Sequence, residues 1–236
     1  MNLPNSITPN RIKNSILEVF FDSNEPFEIL FGYFYNNVLE NGTYKSIELS
    51  NDNSSSEDNN SKNILFYNET IKFVFSESSL IINCNDKYEN WLLYFDEIKN
   101  VINFFNFEKE IIINKIGLRY ISEYPNMDLR DNIKFEFKFG FPNISSNSFS
   151  FNTEFNYKDA LIILTLRNQI PFNVSTKEEK INLSIIDIDV IQDNLNLNIK
   201  EIENIYEKIE TTHLYEKEIF FNILNESFLK SLNPQY

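Results

Sequence analysis

Asp187 and Asp189 are the side chains best spaced to do chemistry. They stand two apart in the segment Leu183–Val190 (LSIIDIDV), and residues two apart in a strand share a face, so both carboxylates point the same way. Such a pair can hold a divalent cation for phosphoryl transfer. No Gly-rich loop, Walker-type lysine or third spaced carboxylate accompanies them, and Leu183 and Ile185 share their face. Arg119 lies mid-strand in Gly117–Ile121 (GLRYI), an otherwise apolar stretch, and a cation there needs a carboxylate or several carbonyls. An anion clamp is the functional alternative. The expectation is structural: Arg119, Asp187 and Asp189 are candidate members of buried pairs, with no catalytic residue, no metal site and no cofactor.

His213 is the one histidine, so any Ser-His-Asp or Cys-His unit would have to use it. No G-x-S-x-G elbow is present, and Cys84, the one cysteine, ends a strand far away in sequence. A structural histidine on a helix is expected, and a zinc site would need more His and Cys than the chain has. Phe135, Phe137, Phe139 and Phe141 alternate with polar residues, a spacing that could stack bases. Without surplus Lys or Arg around them, a core face is the expected role.

These residues must be positioned by an alternation of strands and helices. Ile16–Phe21 is a predicted buried strand. A helix follows Asn24, with Pro26 in its first turn, and stops at Asn41-Gly42. Strands are predicted at Lys45–Leu49, Asn63–Tyr67, Thr70–Phe75 and Ser79–Cys84, joined by short turns as an antiparallel meander. The polar, acidic stretch 50–62 (SNDNSSSEDNNSK) has nothing apolar to bury and is expected to be a mobile loop.

A helix is predicted over 86–107, capped by Asp86 with Glu89 at the capping-box position. Its apolar stripe is Tyr88, Trp91, Leu92, Phe95, Ile98, Ile102 and Phe105. Further strands fall at Glu110–Glu123, Ile133–Phe139, Ser148–Phe155, Ala160–Arg167 and Lys180–Ile191. A last long helix covers 199–229, with Ile202, Ile205, Ile209, Leu214, Ile219, Phe220, Ile223 and Phe228. The expected fold class is α+β: a curved antiparallel sheet of two pseudo-repeated halves, 1–107 and 108–236, gripping two long helices within a single domain, 1–236.

Composition narrows the function. Of 236 residues, 35 are acidic and 21 basic, leaving a charge of −14, which repels phosphate backbones and argues against unaided nucleic-acid binding. Hydrophobic residues at 42% can bury a sizeable core. The chain has 32 Ile and 23 Phe but one Ala and four Gly, which favours sheet over helical bundle. No apolar run approaches a membrane span and a lone cysteine forms no internal disulfide, so a cytoplasmic bacterial protein is expected.

Several motifs then occur in a familiar order. They are the strand ILEVFF after a proline-containing arm, the strand INKIGLRYISEY, the strand LSIIDIDV, and the helix HLYEKEIFFNIL followed by FLKSLNPQY. In this order the chain resembles a sporadically distributed bacterial family with an R-x-G-L-R-Y-[IV]-N core strand, to which no activity is generally assigned. Lys115 stands where that family often has arginine, and Ser122 where it has asparagine. The resemblance implies an accessory protein of a type II CRISPR system. The expected function is therefore a non-catalytic homodimer that binds and bridges a basic RNA-guided effector nuclease and enhances its action. The alternatives are a nucleic-acid-mimicking inhibitor of such an effector, or a metal-dependent phosphoryl-transfer enzyme using Asp187 and Asp189. Open sheet edges rich in Ile and Phe motivate the dimer. Phe220, Phe221, Phe228 and Tyr236 are its candidate interface residues.

Overall fold

A computed structural model describes residues 3–49, 63–84, 88–105, 110–135, 148–173 and 180–236. The expected loop at 50–62, the cap at Asp86 and the aromatics Phe137, Phe139 and Phe141 lie outside the described residues. Among the described residues ten strands form an antiparallel sheet and helices accompany it, so the class is α+β. Among the described residues no helix is long and apolar enough to cross a membrane. The chain divides into two compact units: one of Ser15–Gly117 with Gln192–Glu210, the other of Met1–Asn14, Leu118–Ile191 and Thr211–Tyr236.

The first unit contains most of strand β1 (Ile12–Ser23), helix α1 (Phe27–Asn41), strands β2 (Lys45–Leu49), β3 (Asn63–Tyr67), β4 (Lys72–Phe75) and β5 (Ser79–Asn83), and helix α2 (Trp91–Asn103). Its strands run in the order β2-β3-β4-β5-β1. Short connections set the meander, and alternation sets the faces: Leu17, Val19 and Phe21 are buried with Phe66, Phe73, Phe75, Leu80 and Ile82. Both helices supply rings to that face. Phe34 of α1 stacks on Phe75 at 4.5 Å and meets Phe105, just beyond α2, edge-on at 5.3 Å. Pro26 precedes α1, and Gly42, at φ 71°, closes it in the left-handed region that its missing Cβ permits.

Helix α2 begins later than the apolar stripe predicts. Asn90 caps it by accepting from the Leu93 N–H at 3.0 Å. Its buried face is Tyr94, Phe95, Ile98, Val101 and Ile102. Leu92, expected in the stripe, is 73% exposed. Tyr94 fixes the phase, because its buried hydroxyl donates to the Ile82 carbonyl at 2.8 Å and accepts from the Leu17 N–H at 3.1 Å.

The second unit carries most of β6 (Ile111–Pro125), the short helix α3 (Leu129–Asn132), and strands β7 (Phe149–Tyr157), β8 (Ala160–Asn173) and β9 (Lys180–Gln192). With them come the latter part of α4 (Ile202–Ile223) and helix α5 (Glu226–Ser231). Its strand order is β6-β9-β8-β7. The core joins Ile162, Leu164 and Leu166 of β8 and Ile186, Ile188 and Val190 of β9 to Tyr215, Ile219 and Phe220 of α4.

The single long helix predicted over 199–229 is two. Asn225 interrupts it, its N–H bonded to the Asn132 carbonyl and its side chain capping α5 through the Phe228 N–H at 2.8 Å. The strand predicted at Ile133–Phe139 is, over its described part, a single bridge between Ile133 and Leu224. Between Arg167 and Ile170 the β8–β9 register shifts, and Gln169 there takes φ 48°. Buried Asn168 uses that irregularity to accept the Leu129 N–H at 2.7 Å, which docks α3.

Candidate functional site

Strand β6 presents Arg119 on one face and Tyr120, Ser122 and Tyr124 on the other, because its side chains alternate. On the first face the structure brings Arg119 and Asp187 together. Arg119 Nε donates to Asp187 Oδ1 at 2.8 Å and Nη2 donates to Oδ2 at 2.7 Å, a bidentate fork. Asp189 shares this face and adds its field to that of Asp187 in favouring the charged guanidinium. Both Asp187 oxygens are thus engaged by arginine. Among the described residues no group of three or more His, Cys, Asp or Glu is placed to hold a metal ion.

The pair is less enclosed than an arginine in an apolar strand suggests. The Asp187 side chain is 10% exposed but that of Arg119 is 44% exposed. Arg119→Ala is therefore expected to cost about 1–3 kcal/mol, the penalty for stranding a buried acceptor, and less than a fully buried pair would cost, since water screens the cation. A thermal melt checks this. An unchanged melting temperature with lost partner binding would instead make Arg119 an interface residue.

The opposite face of β6 meets α4. His213 places Nδ1 3.3 Å from the Tyr120 hydroxyl, and burial lowers its pKa to about 3, so the ring is neutral at neutral pH. Glu216, one turn on, is buried, and burial raises its pKa to about 8. Burial likewise raises the pKa of the Tyr124 hydroxyl. The Tyr124 hydroxyl and Arg11 Nε are both buried with no hydrogen-bond partner among the described residues. At neutral pH this cluster therefore holds a neutral histidine and a protonated carboxyl.

Sequence reasoning missed Glu216, although its position was available. Ile205, Ile209, Thr212, Glu216 and Ile219 follow one another at spacings of four, three, four and three, and all are buried. Choosing Leu214 for the stripe in place of Thr212 hid this phase, and Leu214 is 44% exposed. The C-terminal aromatics divide. Phe220 and Phe228 are buried in the core, Phe221 packs against it, and Tyr236 is 63% exposed. In the first unit, burial pushes the Cys84 thiol up to about 12, which keeps it protonated and unreactive.

No protein-family model matches the chain, and no curated protein matches it.

Proposed function

We propose that this chain is a non-catalytic accessory protein of a bacterial CRISPR defence system. It binds a basic RNA-guided effector nuclease as a homodimer, bridges two copies and enhances their action from the cytoplasm. The formal charge of −14 carries this reading. A nuclease that holds a nucleic-acid duplex exposes positive surface, and an acidic partner is steered to it while being repelled by the nucleic acid. The resemblance to the sporadic family points the same way. The internal commitments of Arg119 with Asp187 and of His213 with Tyr120 favour structure over catalysis. The reading also takes the halves 1–107 and 108–236 as architectural duplicates, each setting antiparallel strands beside a long helix.

The test is reconstitution with a purified effector nuclease and its guide RNA. The chain is expected to associate with the protein–RNA complex, to lose affinity steeply as salt is raised, to ignore naked duplex, and to increase target cleavage at limiting effector. Reduced cleavage would mark an inhibitor. A divalent-metal-dependent activity of the chain alone, lost in Asp187→Ala, would mark the enzyme.

A further inference from the structure

In the first unit, the sheet face opposite the helices carries two rows running across the strands. The register aligns Ile47 with Leu65, Leu65 with Val74 and Val74 with Ile81. Beside that apolar row it aligns Lys45 with Tyr67 and Tyr67 with Lys72. Ile47 is 51% exposed and Tyr67 37%. A groove of about 370 Å³ opens here, lined by Ile47, Leu65, Tyr67, Glu69, Ile71 and Lys72. Among the described residues neither Lys45 nor Lys72 is ion-paired.

The start of α2 carries the complement. Leu92 and Leu93 are 73% and 50% exposed, Glu89 precedes them, and Asp96 follows one turn on along the same helix surface. Among the described residues Asp96 pairs with its exposed neighbour Lys99 at 3.3 Å, a pair worth little. Glu89 and Leu93 line a smaller cavity of about 140 Å³ that shares Thr70 and Cys84 with the groove. The two exposed apolar areas therefore border one another at Thr70 and Cys84 and together form a belt, with Lys45 and Lys72 flanking the first area and Glu89 and Asp96 the second.

We propose that this belt is the face on which two copies of the chain meet, with Leu92 and Leu93 of each copy in the groove of the other and Asp96 beside Lys72. The inference rests on the homodimer of the proposed function and names its surface. A twofold interface uses the same patch on both copies, so the patch must complement itself. A belt with lysines beside one apolar area and carboxylates beside the other does so. A chain of charge −14 repels its own copy over most of its surface, so a lysine island beside exposed leucines is where an acidic copy can settle.

The test is light scattering on the full chain at micromolar concentration. The wild type is expected to be a dimer, and Lys72→Glu and Asp96→Lys each a folded monomer by circular dichroism. An equimolar mixture of the two variants is expected to dimerise again, because both reciprocal contacts become opposite in charge. Leu92→Glu, at the most exposed site, should also be monomeric. A monomeric wild type would overturn the homodimer itself. A dimeric wild type whose variants stay dimeric, or whose monomeric variants fail to recombine, would overturn the belt and leave the homodimer standing.

Discussion

Glu216→Gln is expected to stabilise the protein above neutral pH and to remove the alkaline limb of its stability profile. Burial raises the Glu216 pKa from the ordinary 4.5 to about 8. The folded state then holds a proton that the unfolded state releases, so stability falls as pH rises from 4.5 toward 8. The slope is about 1.4 kcal/mol per pH unit. His213 acts in the opposite sense. Its pKa drops from 6.5 to about 3, so its contribution is present above 6.5 and is lost as pH falls toward 3. The two slopes cancel between 4.5 and 6.5, which leaves a plateau there, an acid limb from the histidine and an alkaline limb from the glutamate.

The charged groups around Glu216 do not rescue its ionised form. Lys217, its neighbour on α4, lowers the pKa less than burial raises it. At pH 8 the amide, which has no charge to bury, is expected to gain roughly 4–5 kcal/mol, or about 8–20 °C in melting temperature at this chain length. Melting curves of both proteins from pH 4 to 9 check it. Parallel curves would mean that Glu216 ionises as an ordinary surface carboxylate.

Phe34→Ala is expected to be the most damaging single truncation in the first unit. Phe34 is fully buried, stacks on Phe75 at 4.5 Å and meets Phe66, Phe73, Phe104 and Phe105 edge-on. Removing a buried ring leaves a cavity and costs about 3–5 kcal/mol. Lost ring–ring geometry adds to that, because five rings lose one neighbour together. A fall in melting temperature of about 10 °C or more is expected. Phe34→Leu, which refills most of the volume, should recover about half. A small loss in the alanine variant would mean that α1 is held mainly by other contacts.

Local sequence determined a large part of this molecule. β2 and β3 begin and end where alternation and turn residues place them, and α1 closes at the predicted Asn41-Gly42 stop, since these features depend on nearest neighbours. The pairing of Arg119 with Asp187 was legible as a need, because a charge in an apolar strand requires a partner. What the sequence left undecided was helix phase and helix ends. Leu92 and Leu214 suit an apolar stripe as well as their neighbours do, and only packing against a particular strand turns them outward. The break at Asn225 arises because residues 132–134 are near enough to capture the backbone of Ile223 and Asn225, a long-range event with no local signature. The rows on the outer sheet face are likewise tertiary. Lys45 and Lys72 are 27 residues apart in the chain and come to flank Tyr67 only through strand register. Charges and propensities are written residue by residue, but which side chains share a face is decided by how the strands pair.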